Sequence, residues 1–166
     1  MKKTIILTSL LLGSLPFMAH AGDPTVANPD HEAMLRSDDP KLAANKRLIY
    51  DFWREVVESG HVENGEKYLP ENYIQHNPNV DSGRQQLLDY FSSTRERSPI
   101  QDRVQTPIVH IIAEGDYVSW NLLREYPDPN NPGKTYTTSG PSIFRIENGK
   151  IAEHWDAVFM EKRGNP

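Results

Sequence analysis

Apolar residues recur at helical spacing in the first half of the chain. The clearest run follows Asp39-Pro40, where a carboxylate can cap a helix and proline suits its first position. The run stops at Ser59-Gly60, because glycine commonly terminates helices. The pattern predicts an amphipathic helix over residues 40–59, with an apolar face that carries Leu42, Ile49, Phe52, Trp53 and Val56.

Two shorter helices are predicted downstream. One covers residues 63–69, and the other begins at a capping box formed by Ser82 and Gln85. Between them, residues 73–78 are predicted to be extended, because a residue that precedes proline avoids the helical region.

The second half of the chain has the pattern of β-strands. The dipeptide Asn148-Gly149 favours a two-residue hairpin turn, and residues 127–133 form a proline-rich loop. Helices followed by antiparallel strands predict an α+β domain. The predicted strands cover residues 108–113, 118–126, 135–146 and 151–159.

The last hairpin is predicted to have two apolar faces. A two-residue turn places Ile146 opposite Ile151, and strict alternation assigns the other residues. One face then carries Phe144, Ile146, Ile151, Glu153, Trp155 and Phe159, and the other carries Ile143, Arg145, Ala152, His154, Asp156 and Val158. Because both faces are largely apolar, both sides of the sheet are expected to be covered, one by helices and the other by a second copy in a homodimer.

The N-terminus has the three parts of a secretory signal peptide. Lys2 and Lys3 precede an apolar run, and Ala19-His20-Ala21 is a small-x-small cleavage pattern. The run is too short to span a bilayer. We therefore expect cleavage after Ala21 and export to the periplasm or beyond the cell. The predicted organisation is a signal peptide (1–21), a flexible leader (22–39), one domain (40–160) and a tail (161–166).

Composition excludes several classes of partner. Loss of the signal peptide changes the formal net charge from −5 to −7, and the charges are interspersed. Nucleic acids and anionic membranes require basic patches, so neither is expected as a partner of the mature chain. The chain has no cysteine, which excludes disulfides and a cysteine nucleophile.

His154 and Asp156 form the strongest candidate site. They are two residues apart on one strand and therefore share a face, beside apolar neighbours. Burial there is expected to raise the pKa of the Asp156 carboxyl towards neutrality, which suits a general base. The structural alternative is that Asp156 is solvated or pairs with Arg145. His76, Asp156 and His154 are also a conceivable metal set, but no close ligand pair supports it, and no metal is expected.

The order of these parts resembles the SnoaL-like polyketide cyclase family of the nuclear transport factor 2-like superfamily. The resemblance covers residues 40–160 and depends on Tyr73–Pro78, Ala113–Asp116 and the stretch from Phe144 through Gly149 to Asp156. It implies a cone-like barrel in which a bent antiparallel sheet surrounds three helices and a pocket.

The resemblance also implies a reaction and a site. Family members catalyse an intramolecular aldol condensation without cofactor or metal, with an aspartate on the last strand as base. Asp156 matches that residue, and His76 and His154 are further catalytic candidates that could hold an enolate. Substrate-binding residues are expected to be Asn77, Tyr73, Trp53, Val158 and Ile143.

Two functions therefore remain after the sequence is read. The first is a small exported enzyme that performs cofactor-independent acid–base chemistry, of cyclase, isomerase or dehydratase type, on a hydrophobic carbonyl compound. The second is a non-catalytic protein that binds a small ligand in the same pocket, since one fold can carry many functions. Export also argues against an antibiotic-type polyketide as the substrate.

Overall fold

The computed structural model of the chain describes residues 23–160. The predicted signal peptide and C-terminal tail lie outside this range. The helices are α1 (His31–Leu35), α2 (Pro40–Phe52), α3 (Gly65–Tyr68) and α4 (Arg84–Thr94). The strands are β1 (Ile74–Gln75), β2 (Ile108–Glu114), β3 (Tyr117–Pro127), β4 (Thr135–Glu147) and β5 (Lys150–Asp156). None of the helices within this range is long and apolar enough to cross a membrane.

The strands form one sheet in the order β1-β5-β4-β3-β2. The pairs from β2 to β5 are antiparallel, whereas β1 is parallel to β5. The predicted α+β fold is confirmed, with two corrections. The sheet is mixed because of β1, and it is not closed as a barrel, because β1 and β2 remain at opposite edges.

Helix α2 begins as the sequence predicts. Oδ1 of Asp39 accepts a hydrogen bond of 2.8 Å from the backbone nitrogen of Lys41, and Pro40 is the first helical residue. After Phe52 the helix continues as a π-helical segment, Trp53–Glu58. Its apolar side packs on the sheet, where the ring of Trp53 lies 5.5 Å from that of Trp120. This contact joins the helical layer to the centre of β3.

The predicted start of the domain at Pro40 is too late. The segment predicted to be a flexible leader contains α1, and His31, Met34 and Leu35 are buried in it. Nδ1 of His31 lies 2.8 Å from the hydroxyl oxygen of Tyr50, which ties α1 to α2. A five-residue helix has too few positions to show a helical period, so the sequence pattern does not reveal it.

The predicted capping box of α4 is wrong. Oγ of Ser82 accepts a hydrogen bond of 3.0 Å from the backbone nitrogen of Gln75 instead. The residue that precedes the helix is Gly83, which has a φ of 111° and therefore occupies a conformation that favours glycine. Ser82 thus anchors β1 rather than the helix.

The predicted turn at Asn148-Gly149 is present, with φ angles of 50° and 71°. Ile146 pairs with Ile151 as predicted, but Arg145 pairs with Glu153, so Ala152 is an extra residue in β5. Such a β-bulge reverses the alternation of every residue beyond it.

The bulge corrects the predicted faces of the hairpin. Phe144 now lies beside His154, with ring centroids 4.3 Å apart, and Ser142 lies opposite Asp156. These four residues face the helices. Ile143 pairs with Trp155 on the opposite, outer face of the sheet. The same hairpin therefore presents different side chains to the interior from those that strict alternation predicts.

Candidate active site

A cavity of about 340 Å³ lies between the helices and the inner face of the sheet. Its volume is at the lower end of the range for small-molecule sites. Most of its wall is apolar, and the apolar and aromatic residues that line it include Phe52, Trp53, Val57, Leu87, Phe91, Leu122, Phe144 and Val158. The polar groups that reach it include Tyr73, Gln75, Asn77, Arg95, Arg124, Ser142, His154 and Asp156.

Asp156 is the acidic residue of this cavity. Its side chain is only 16% exposed. Oδ2 accepts a hydrogen bond of 2.8 Å from Nδ2 of Asn77, and Oδ1 accepts one of 2.9 Å from Oγ of Ser142. Nε2 of His154 lies 3.0 Å from Oδ1, close enough for an ion pair although it lacks the alignment of a full hydrogen bond. The carboxylate therefore has polar neighbours on both oxygens.

The pKa of Asp156 departs from the expectation. Burial raises the pKa of this carboxyl, but His154, Asn77 and Ser142 together stabilise the charged form more strongly, and the resulting pKa is about 2. The prediction of a pKa near neutrality is thus wrong, because it included the apolar surroundings and not the combined effect of the two hydrogen-bond donors and the neighbouring imidazole. Asp156 is ionised at neutral pH.

The parallel pairing of β1 with β5 positions Asn77. Gln75 pairs with His154, so the chain beyond β1 runs alongside the end of β5. The backbone nitrogen of His76 donates to the carbonyl oxygen of His154 over 2.9 Å. Gln75 and Asn77 line the cavity, and Oε1 of Gln75 accepts from the backbone nitrogen of Asn77 over 3.0 Å. The backbone at Asn77, just beyond the end of β1, is therefore held in place by Gln75.

Tyr73 is a second polar group at the cavity wall. Its hydroxyl accepts a hydrogen bond of 3.1 Å from Nε2 of Gln75. Burial, and then the charge of Asp156, raise the pKa of Tyr73 well above the ordinary range of a phenol. Tyr73 therefore keeps its proton at neutral pH and can donate it in a hydrogen bond to a bound oxygen atom.

Two of the predicted site residues lie outside the cavity. Alternation along β1 turns His76 to the outer face, where its ring stacks on Trp155 at 4.8 Å and Nε2 lies 2.8 Å from Oε1 of Glu153. Ile143 is on the same outer face because of the bulge at Ala152. Neither residue can contact a ligand beside Asp156.

The remaining predicted residues do converge. Asp156, His154, Asn77, Tyr73, Trp53 and Val158 all line the cavity. The three residues considered as metal ligands, His76, His154 and Asp156, do not come together, since His76 is on the other face of the sheet. Within residues 23–160, no group of three or more His, Asp or Glu side chains is arranged to hold a metal ion.

Sequence reasoning missed Ser142, which donates to Asp156, and the two arginines of the cavity. The position of Ser142 opposite Asp156 results from the register of β4 and β5. No local sequence signal marks the bulge that sets this register. Arg124 is missed for a simpler reason: a charged residue near the end of a predicted strand normally faces solvent.

The fold and the cavity together define an α+β cone with an ionised carboxylate in its wall. The sequence model of the SnoaL-like polyketide cyclases matches residues 47–158. The chain belongs to this family. Among curated protein sequences, none matches the chain at a significant level.

Several solved structures are similar to this chain. A candidate polyketide cyclase from Acidithiobacillus ferrooxidans is 21% identical, with a TM-score of 0.51 over 73% of this chain and 89% of that one. TsrD from Streptomyces laurentii is 19% identical (TM-score 0.48, 72% and 90% covered). An LEH-like epoxide hydrolase from Mycobacterium tuberculosis is 14% identical (TM-score 0.49, 72% and 81% covered).

Proposed function

We propose that this chain is a small exported enzyme that removes a proton next to the carbonyl group of a hydrophobic compound. Asp156 is the base, and the reaction is of aldol-cyclase or isomerase type. The observation that carries the proposal is the position of Asp156, an ionised carboxylate in the wall of a cavity that also has many apolar side chains. Membership of the SnoaL-like family supports the class of reaction.

The proposed reaction begins when Asp156 takes a proton from the carbon beside the carbonyl. The C–H bond breaks, an O–H bond forms on the carboxyl, and the electron pair moves to the carbonyl oxygen as an enolate. The enolate carbon then attacks a second carbonyl to form a C–C bond, and the proton passes to the new alkoxide. In an isomerase the proton returns to a different carbon. No cofactor is needed to balance either sequence.

A pKa of about 2 makes the resting carboxylate a weak base. We propose that the ligand changes this basicity when it binds. If the hydroxyl of Ser142 turns from Asp156 to the carbonyl oxygen, the carboxylate loses a donor and becomes more basic, while the enolate gains one. Tyr73 provides another donor for the same oxygen. A donor that lowers the pKa of Asp156 would thus stabilise the enolate.

The low pKa of Asp156 also favours the alternative function, in which the cavity holds a ligand without chemistry. A strongly hydrogen-bonded carboxylate is well suited to orient a ligand. The two functions differ in whether a proton leaves the ligand, and that difference can be measured.

Proton exchange tests the proposal directly. The probe is 2-tetralone in D2O, and NMR measures the loss of its α-protons. The wild-type protein should accelerate the exchange, and Asp156→Asn should lower the added rate by at least about 100-fold. Asp89→Asn, which removes an exposed carboxylate on α4, is the matched control and should have no effect. Binding of 2-tetralone without exchange would support the ligand-binding alternative.

We also propose that the mature chain begins at Gly22 outside the inner membrane. The signal-peptide pattern of residues 1–21 supports this. N-terminal sequencing of the protein from a periplasmic or culture fraction should read Gly-Asp-Pro, and an intact Met1 in that fraction would contradict the proposal.

A homodimer through the outer face of the sheet is the final part of the proposal. Ile112 and Tyr117 are 56% and 48% exposed there, and Trp155 and Ile143 line the same apolar depression of about 550 Å³. A second copy would cover these side chains. Sedimentation should give a dimer at micromolar concentration, and Ile143→Glu should shift it to a monomer.

A further inference from the structure

Two arginines reach the cavity without an acidic partner. Arg124 is on β3, and Arg95 follows α4. In the described part of the chain, neither guanidinium lies within ion-pair distance of a carboxylate, and Arg95 donates only to the carbonyl oxygen of Thr94, over 3.1 Å. Among the other described arginines, Arg47, Arg54, Arg97 and Arg145 have carboxylate partners, whereas Arg36, Arg84 and Arg103 do not, so what distinguishes Arg95 and Arg124 is their place at the cavity.

Gly140 shows where the Arg124 side chain lies. Arg124 pairs with Thr138, and Leu122 pairs with Gly140. Gly140 is therefore on the same face of the sheet as Arg124, and it lies between Thr138 and Ser142 along β4. A Cβ atom on Gly140 would lie 3.0 Å from Nε and 3.3 Å from Cγ of Arg124. The arginine therefore bends back over Gly140, towards Ser142 and Asp156.

The backbone of Gly140 gives no other reason for glycine. It is not among the glycines with positive φ in residues 23–160. A larger residue at this position would force the Arg124 side chain to shift, because that side chain occupies the space above Gly140. Gly140 thus leaves room for the cationic side chain of Arg124 at the wall of the cavity.

We infer that the ligand of this cavity carries a carboxylate, which Arg124 binds with the help of Arg95. The inference rests on the proposed function, since it describes the ligand of the same cavity. The guanidinium group presents a planar pair of donors that fits a carboxylate in two parallel hydrogen bonds. The preferred ligand is then a hydrophobic oxo acid, of which 2-tetralone is a neutral analogue that lacks the contact with Arg124.

The position of Arg124 relative to Asp156 also suggests the distance between the carboxylate of the ligand and its reacting carbon. Gly140 and Ser142 are two residues apart on β4, which corresponds to roughly 7 Å along a strand. The carboxylate at Arg124 and the carbon that faces Asp156 are therefore separated by about that distance. The negative charge of Asp156 repels a ligand carboxylate, and a separation of about 7 Å makes this repulsion weaker than it would be in direct contact.

Two probes with one carbon skeleton test the inference by isothermal titration calorimetry. They are trans-cinnamate, which is an anion, and trans-cinnamamide, which is neutral. Wild-type protein should bind cinnamate about fivefold to tenfold more tightly, a modest preference because both arginines are exposed to water. Arg124→Gln should abolish the preference and leave the affinity for cinnamamide within about twofold. Gly140→Ala, which displaces the guanidinium, should lower the affinity for cinnamate in the same direction.

Arg36→Gln is the matched control, because Arg36 is an exposed arginine far from this cavity. It should change neither affinity, and circular dichroism should show that all variants are folded. Equal affinity of the wild type for both probes would overturn the carboxylate site and leave the proposed reaction intact. An equal loss of cinnamate binding in Arg36→Gln and Arg124→Gln would also overturn it, since a general charge effect would then explain the preference. Failure of both probes to bind would overturn the cavity as a ligand site, and with it the proposed function.

Discussion

Replacement of Ser142 by alanine isolates one of the three groups that lower the pKa of Asp156. Ser142 is buried, and its hydroxyl donates to Oδ1 over 2.9 Å. The substitution removes one oxygen atom and changes the wall of the cavity little. A hydrogen bond to a charged acceptor is worth about 1.5–3 kcal/mol, and one pKa unit corresponds to about 1.4 kcal/mol. We therefore expect the pKa of Asp156 to rise by about one to two units, from about 2 to between about 3 and about 4.

The same hydrogen bond has a consequence for stability. The pKa of Asp156 is lower in the folded protein than in the unfolded chain, so its charged form stabilises the fold above about pH 4. This contribution is lost as the pH falls from about 4 towards 2. Ser142→Ala should be about 1.5–2 kcal/mol less stable than wild type at pH 7, and the gap should narrow over that acidic interval.

Two measurements check this prediction. Carboxyl ¹³C NMR follows the titration of Asp156, and urea denaturation from pH 7 to pH 2 follows the stability gap. Ser93→Ala is the control, because its hydroxyl bonds only to the backbone of α4, and it should not change the pKa of Asp156. An unchanged pKa in Ser142→Ala, or a stability gap that stays constant down to pH 2, would refute the reasoning.

Three further predictions concern the fold. Asp39→Ala should lower the free energy of unfolding by about 1 kcal/mol, because the first turn of α2 loses its cap, and thermal denaturation measures this. Gly149→Ala should cost about 1 kcal/mol in the same assay, since φ at this turn is 71°. Burial, and then Arg103, lower the pKa of His31, so stability in urea should decrease as the pH falls below about 6.5; His31→Phe should remove that dependence.

The local signals in the sequence predict most of the elements. Asp39-Pro40 marks the start of α2, and Asn148-Gly149 marks the final turn, because each depends on residues that are adjacent in the chain. The failures depend on long-range contacts. Ser82 caps no helix because β1 competes for its hydroxyl, and α1 is stabilised by Tyr50 rather than by its own five residues.

The site was predictable only in part for a related reason. The shared face of His154 and Asp156 follows from their spacing, and the family resemblance adds Asn77 and Tyr73. The bulge at Ala152 has no signature in the sequence, yet it decides that Phe144 and Ser142 face the cavity and Ile143 does not. The pKa of Asp156 is lower than the sequence predicts because His154, Asn77 and Ser142 together outweigh the effect of burial, and their convergence on the carboxylate depends on the long-range pairing of β1, β4 and β5.

Strand β1 has only two residues, but it covers the free edge of β5. An uncovered edge is a template for pairing with another chain, so a molecule in which β1 has not docked exposes a site for aggregation. Docking also brings Asn77 to Asp156, which is 79 residues away in the chain. Such distant contacts close slowly during folding. We therefore expect the last donor of the carboxylate and the protection of the sheet edge to appear in the same late folding step.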